Sequence, residues 1–511
     1  MGQNFIACDR GQEFLLPPSV TDWVSDDHLV WTVLGAVDQF DLSGFYGAYR
    51  ANGQGRAAYD PAMMIALLLY SYAVGIRSSR GIERRCQEDV AFKVITALSV
   101  PDHSTVAEFR RRHQTAIGEL FVQVLALCAE AGLVAVGEIV VDGTKMRADA
   151  SMDCNRGYES VVGEILEQAE NADREEDERF GEKRGDELPE HLRTRTARRA
   201  ALAAAREKLE RERAEAQAEG EQVIATVELG LDPERFVTQA DGRRVWLREG
   251  RRELERRRDL AGEPIPRCRR DRLEAVRDRL DQELAFDHAS NREYLKARAS
   301  GLRSDGRRIG IPIKPVILPL VPEGRINTTD LDSKSMRTTG QPAIQGYNAQ
   351  AVVTNGQIVI AAEVSNTPPD FGQLGPMVSA ALSALDHAGI TDRPETVIAD
   401  AGYWHKQQIQ NLWADGFRVL VPPDGGVRDG TRPGWDGGMY SFMRQALATE
   451  IGSELYKLRK QAIEPTFGQI KHNRGINRFK RRGRAAVRSE WRLITATHNL
   501  LKLHSHAIAT A

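Results

Sequence analysis

Three acidic residues stand where a carboxylate could do more than solvate a surface. Glu464 lies in the run from Tyr456 to Lys471, one acid among Lys457, Arg459, Lys460 and Lys471. Asp142 follows the apolar triplet Ile139-Val140-Val141, and Asp400 follows Val397-Ile398-Ala399. Carboxylate oxygens suit Mg²⁺ or Mn²⁺, hard cations that keep waters and take further ligands from substrate phosphate. A pair of such ions roughly 3.5–4 Å apart would serve both the attacking and the leaving oxygen of a phosphoryl displacement. Each acid also has an ordinary reading. As helix, Lys460, Glu464 and Lys471 share one face, as in a salt-bridged surface helix. An aspartate that ends a strand at a glycine-containing turn is common. Burial decides between these readings, because a buried carboxylate must be paired, protonated or bound to a cation.

The elements that would position these acids are legible in the periodicity. The β-branched run Ile139 to Met146 reads as a buried strand. Gly346 to Val353 and Ile358 to Val364 flank Asn355-Gly356, a strong hairpin signal. Asp370 to His387 reads as helix, Glu395 to Tyr403 as a strand ending in Asp400, and Lys406 to Ala414 as helix. Phe417 to Val421 reads as a short strand closed by Pro422-Pro423. Helix then runs through the Glu464 stretch to a C-terminal helix over Ser489 to Leu503. The expected fold class is α/β, a mixed sheet flanked by helices. Its strands ending in Asp142 and Asp400 can lie side by side, and a following helix can bring Glu464 to the same end. Pro465 lacks an amide hydrogen and restricts its predecessor, which predicts a helix that kinks or restarts at Glu464. Lys471 then lies about two turns onward on the same face.

Upstream, Asp60-Pro61 is a helix start, with Asp as cap and Pro at the first helical position. Further helices are expected over Leu29 to Val37, Met63 to Ala73, Ser79 to Arg85, Val106 to His113 and Ile117 to Ala131. The tight turns, with Arg110, Arg111 and Arg112 in one late helix, fit a helix-turn-helix-like DNA-binding module or a plain bundle with solvated arginines. From Asn155 to about Arg308 the composition turns to charged helix, including Arg193 to Glu219, broken at Leu231-Asp232-Pro233. No heptad or fixed-period repeat is sustained there. The Gly-rich loop Gly425 to Gly438 lacks the G-K-[ST] of a nucleotide loop. We therefore expect a helical N-terminal domain over 1–135, a catalytic domain over 136–154 and 326–505, and a charged helical insertion over 155–325.

The 511 residues exceed a single core. The net charge of −2 argues neither for nor against nucleic acid, but its distribution is uneven. From Lys457 to Arg492 there are twelve Lys or Arg against Glu464 and Glu490, a local charge of +10. That is a candidate phosphate-binding stripe. Five cysteines (Cys8, Cys86, Cys128, Cys154, Cys268) without metal-ligand spacing read as reduced thiols. The start of the chain lacks signal-peptide character, and no apolar run is long enough to span a bilayer, so a cytoplasmic protein is expected.

Three motifs carry a family resemblance. Val140-Val141-Asp142-Gly143-Thr144, Ala399-Asp400-Ala401-Gly402-Tyr403 and Glu464-Pro465-Thr466-Phe467-Gly468-Gln469-Ile470-Lys471 resemble the three acidic motifs of bacterial insertion-sequence transposases of the DDE type. Tyr59 to His113 is similar to the helical N-terminal domain of those transposases, and so is the block from Asp330-Leu331-Asp332-Ser333 to Gly346-Tyr347-Asn348-Ala349-Gln350. The resemblance covers most of the chain except the helical insertion. It implies an RNase H-like catalytic fold in which Asp142, Asp400 and Glu464 are catalytic metal ligands, with two Mg²⁺ or Mn²⁺ ions as cofactor. It implies Tyr456, Arg459 and Lys471 as the Tyr-Arg-Glu-Lys signature contacting transposon-end DNA. That signature has three residues between Arg and Glu; Arg459 has four and Lys460 has three, so either cation fits the role. Arg474, Lys480 and Arg481 of the basic tail, with Arg110 and Arg111, are further expected DNA contacts. His405 and His472 are read as structural or DNA contacts.

The implied partners are the terminal inverted repeats and target DNA, with no membrane and with a homodimer or larger assembly on DNA. The implied reaction is hydrolysis at the element's end to free a 3′-hydroxyl, followed by attack of that hydroxyl on target DNA. No side-chain nucleophile is needed. Two alternatives keep the same fold: a catalytically silent DNA-binding protein descended from a transposase, and a metal-dependent nuclease that cuts without joining.

Overall fold

In the computed structural model, which describes residues 19–49, 57–180, 243–299, 317–338, 340–424 and 437–510, Glu138–Arg147 forms the strand β1. The Ala/Glu/Arg stretch over 193–219, the break at 231–233, most of the Gly-rich loop (425–436) and Cys8 lie outside the described residues. Ile139, Val140 and Val141 are all buried, so the strand is covered on both faces and reads as a continuous apolar run.

By contacts the chain divides into two compact units, 1–147 with 347–481 and 486–511, and 148–346 with 482–485. The N-terminal helices thus share the unit of the Asp142 sheet, and the boundary expected near 135 does not divide units. The expected insertion, 155–325, falls within the second.

In the first unit, β1 lies between β5 (Gln341–Thr354) and β7 (Thr396–Ala399). β1 and β7 run parallel, with Glu138 opposite Thr396 and Val141 opposite Ala399. β7 pairs in parallel with β8 (Arg418–Leu420). On the other side β5 turns through Asn355-Gly356 into the antiparallel β6 (Val359–Ser365), the expected hairpin. The order β6-β5-β1-β7-β8 is a mixed sheet with β1 at its centre. The helix Leu374–His387 packs on β6 and β1 through Leu374, Met377, Val378, Ala381 and Leu385, an apolar stripe at helical spacing. The helix Glu450–Gly468 packs on β1 and β7. Asn499, on the C-terminal helix, clasps β6: its Nδ2 donates to Val359 O at 2.8 Å and its Oδ1 accepts from Val359 N at 2.9 Å. Among the N-terminal helices, Pro61–Ala73 is buried on nearly every side and capped by Asp60, as its sequence predicts.

The expected kink at Glu464 is not observed. The helix Glu450–Gly468 runs unbroken through Pro465, and the irregularity falls later, as a π-helical turn over Gln469–Asn473. Proline costs an internal helix one hydrogen bond, to the carbonyl four residues earlier. Here that carbonyl belongs to Gln461, and it accepts instead from Gln357 Nε2 at 3.1 Å, from the β5–β6 turn.

In the second unit, the helices Tyr158–Phe180 and Arg269–Ala299 bury Val161, Leu273, Val276 and Leu280 with Ile326 and Leu331. A smaller cluster joins Leu254 of the helix Arg243–Ala261 to Phe286 and Ala289. β2 (Asn155–Gly157) pairs antiparallel with β3 (Arg325–Asn327), and β4 (Lys334–Thr338) with the first residues of β5. The charged insertion therefore carries apolar cores of its own. Among the described residues no helix is long and apolar enough to cross a membrane.

Candidate active site

The site begins with the β1–β7 register. One step past the Val141–Ala399 pair, Asp142 stands midway along β1, which runs on to Arg147, beside Asp400, which follows the end of β7. Asp142 Oδ1 accepts from Gly143 N at 2.7 Å, and its Oδ2 pairs with Arg459 Nη1 at 3.0 Å. Burial and then the Asp400 charge push the Asp142 carboxyl up to about 7, against the opposing pull of the Gly143 amide and Arg459. Burial and then the Asp370 charge also raise Asp400, whose Oδ1 accepts from Gly402 N at 2.8 Å. Burial is thus the main reason that both carboxyls resist ionisation, with a neighbouring carboxylate adding to it in each case.

The helix Glu450–Gly468 delivers the counter-charge. Arg459 reaches Asp142 and lies over the Tyr456 ring, its guanidinium carbon 5.9 Å from the ring centroid. Burial raises the Tyr456 hydroxyl, and Arg459 opposes that rise. Lys460, which has the signature spacing to Glu464, is exposed, and Arg459, one residue off that spacing, is the cation paired with Asp142. Glu464 is exposed and makes no hydrogen bond to a described residue; Arg459 feels its charge. Lys471, in the π-helical turn, donates to Thr144 Oγ1 and, at 3.2 Å, to Lys145 O. It braces β1 just past Asp142, and burial followed by the nearby Lys145 charge lowers its proton affinity.

A polar cluster that our sequence reading did not single out surrounds these acids. Asp370 accepts from Asn348 Nδ2, Gln350 Nε2 and Lys145 Nζ. It lies in the loop before the helix Leu374–His387, which starts four residues later than expected. Gln350 Oε1 accepts from the Tyr403 hydroxyl. Asn348 and Gln350, two apart on a buried strand, point to one face, and polar residues at that spacing in an apolar run were the available signal. Gly143 is required by this crowding: a Cβ there would meet Gln350 Nε2 at 2.2 Å, Asp370 Oδ1 at 2.7 Å and Asn348 Oδ1 at 2.8 Å. His405 caps the helix Lys406–Ala414 by accepting from Gln408 N, and His472 is exposed.

The expected DNA contacts divide. Arg110 and Arg474 are buried and hydrogen-bonded within the protein. Arg110 donates to Tyr72 OH, Arg77 O and Ser79 Oγ, and Arg474 to Ile494 O, Tyr72 O and Thr497 Oγ1. A guanidinium carries five donors in a fixed fork, which suits it to gathering backbone carbonyls. Arg481 donates to Gln114 Oε1 and is half-buried. Lys480 and Arg111 are exposed, the latter paired with Glu108.

Among the described residues no three His, Cys, Asp or Glu side chains converge closely enough to hold an ion. Two adjacent carboxylates nonetheless fit Mg²⁺, which takes one or two carboxylates and completes its shell with water and substrate phosphate. Burial and neighbouring carboxylates raise both Asp142 and Asp400, and a divalent cation would offset that cost.

Neither curated proteins nor solved structures gave a match to the chain. Two family models did match it: Transposase domain (DUF772) over residues 18–112, and Transposase DDE domain over residues 323–500. The first covers the N-terminal helices, and the second covers β5 to β8, Asp400 and Glu464 and implies an RNase H-like fold for the mixed sheet. A transposase N-terminal domain and a transposase DDE domain thus match one polypeptide, a pairing consistent with a DDE insertion-sequence transposase.

Proposed function

We propose that the protein cleaves a phosphodiester bond at the ends of its element and joins the freed 3′-hydroxyl to target DNA. In this reading Asp142, Asp400 and Glu464 hold divalent cations, Mg²⁺ or Mn²⁺. The observation that carries it is the parallel register that seats Asp142 beside Asp400, both with raised proton affinity. When bound, the cations supply charge stabilisation at the phosphate and activate the attacking oxygen. The chain's own residues do the rest. The β1–β7 register holds the two aspartates, and Glu464 stands exposed on the helix that carries Arg459. Arg459 opposes the rise in the Asp142 proton affinity and orients its Oδ2, while Tyr456 lies against the guanidinium. Lys471 secures Thr144 and so the strand. Exposed cations such as Lys460, Lys480 and Arg111 supply sequence-independent, salt-sensitive phosphate affinity. Joining requires two ends at once, so the working assembly is a dimer or larger on DNA.

The test is incubation of the full chain with its flanking inverted-repeat DNA, a target plasmid and Mg²⁺. Joined products are expected. Nicks without joining would instead make it a nuclease, and a mobility shift without cutting a silent binder. Asp142→Asn, Asp400→Asn and Glu464→Gln should each abolish cleavage while DNA binding persists, and full cleavage by any one would remove that residue from the ligand set.

A further inference from the structure

Asp370 is a fourth carboxylate at the site, outside the three acidic motifs. Its Oδ1 accepts from Asn348 Nδ2 at 2.7 Å, from Gln350 Nε2 at 2.8 Å and from Lys145 Nζ at 3.3 Å. Asn348 and Gln350 are buried on β5, and Gln350 is in turn held by Tyr403, three residues past Asp400. The same carboxylate abuts the segments that carry Asp142 and Asp400. A Cβ on Gly143 would lie 2.7 Å from Asp370 Oδ1, and one on Gly402 would lie 3.6 Å from its Cβ and Oδ2. One side-chain atom of the cluster, Asn348 Oδ1, is buried without a hydrogen-bond partner.

A purely structural role does not explain the charge. A neutral acceptor would satisfy the two amides equally well. Instead a third acidic side chain stands beside Asp142 and Asp400, with Lys145 as its one ion-pair partner among the described residues. Like charges gathered in a partly desolvated site are costly unless a cation joins them. We infer that Asp370 is a positioning residue of the cation site, fixing the segments that carry Asp142 and Asp400 and adding a charge that strengthens divalent-ion binding between them. This rests on the metal-ligand reading proposed above.

The experiment is a Mn²⁺ titration of the metal-stripped full chain without DNA, following free Mn²⁺ by electron paramagnetic resonance. Wild type, Asp370→Asn, Lys145→Gln and Asp142→Asn are compared, each with a thermal melt. Asp370→Asn keeps Oδ1 for the two amides and should weaken Mn²⁺ binding on the order of tenfold, the usual scale for a group behind a metal ligand. Lys145→Gln leaves the Asp370 charge uncompensated and should tighten binding by roughly two- to fivefold. Opposite signs at two residues of one ion pair cannot arise from loosened packing. Unchanged binding in Asp370→Asn, or weakening in Lys145→Gln, would overturn the inference. Should Asp370→Asn fail to fold, Lys145→Gln decides alone: tightening supports the role, and any other result removes it. If Asp142→Asn binds Mn²⁺ as wild type does, the metal-ligand reading falls and this inference with it. Loss in Asp142→Asn alongside normal binding in Asp370→Asn overturns only the present one.

Discussion

The side chains at the site are crowded enough that single atoms decide the chemistry. Gly143 separates Asp142 from Thr144, and any larger residue there would collide with three polar side chains that are themselves held in place. Gly143→Ala is therefore expected to destabilise the fold by about 1–3 kcal/mol, the scale of overpacking a well-filled site, and to abolish strand cleavage. A denaturant melt with an end-cleavage assay checks both, and normal stability with normal cleavage would show that the site yields more than its geometry suggests. The need for an acid at Asp142 was legible in the sequence. The need for nothing at Gly143 was not, because the atoms that forbid a Cβ come from β5 and the Asp370 loop, more than 200 residues away in the chain.

At the scale of elements, strands were easier to read than the helix that serves them. The apolar runs before Asp142 and Asp400 and the Asn355-Gly356 turn gave β1 to within a residue at each end and the β5–β6 hairpin, whereas β7 closes at Ala399, before Asp400. Pro465 misled because its local rule is real but a distant partner satisfied it: Gln357 bonds the Gln461 carbonyl that proline leaves free. The same turn residue anchors the C-terminal helix, where His498 Nε2 meets Gln357 O and Nδ1 meets Gln469 Oε1, both at 2.9 Å. Burial holds this imidazole down at about 4, with Arg474 and Lys502 adding to the effect against the Gln357 contact. An unfolded histidine titrates near 6.5. Its contribution to stability is thus complete above about 6.5 and is lost as pH falls from there toward 4. The melting temperature of wild type relative to His498→Gln should decline over that window, and a constant difference would show that His498 is not buried neutral. Raised aspartates such as Asp142 work in the opposite sense, gaining stability on acidification, which is why the difference between the two proteins is the quantity to follow.

For the molecule as a whole, much of the positive tail is structural. Within the first unit, Glu490 is buried against Arg77 at 3.2 Å and accepts from the backbone amides of Lys480 and Arg481. It thereby ties the N-terminal helices to the segment that follows the π-helical turn. Removing one partner of a buried pair leaves the other charge uncompensated, so Glu490→Gln should cost about 3–5 kcal/mol. Equilibrium unfolding measures this, and a loss below about 1 kcal/mol would mean that water reaches Arg77. Because Arg110 and Arg474 also face inward, the salt dependence of DNA binding should be shallower than the local charge of +10 implies. Binding isotherms across a salt series check this, with Lys480→Ala expected to lower the slope by about one unit and Arg474→Ala to change stability instead.

Sequence alone determined the acids, the apolar strand segments that precede them and the family they resemble, because periodicity, turn chemistry and residue type are local properties. Tertiary structure alone decided which cation meets Asp142. Lys460 and Arg459 are adjacent in the chain and only Lys460 has the signature spacing to Glu464, yet helix rotation turns Arg459 onto β1 and leaves Lys460 in solvent. It also decided which arginines are spent on the protein's own carbonyls, and it brought Asp370 to Asp142 and Asp400. Burial and electrostatic contact between distant segments have no signature in a linear sequence, because they arise only when separate elements close around the same few atoms.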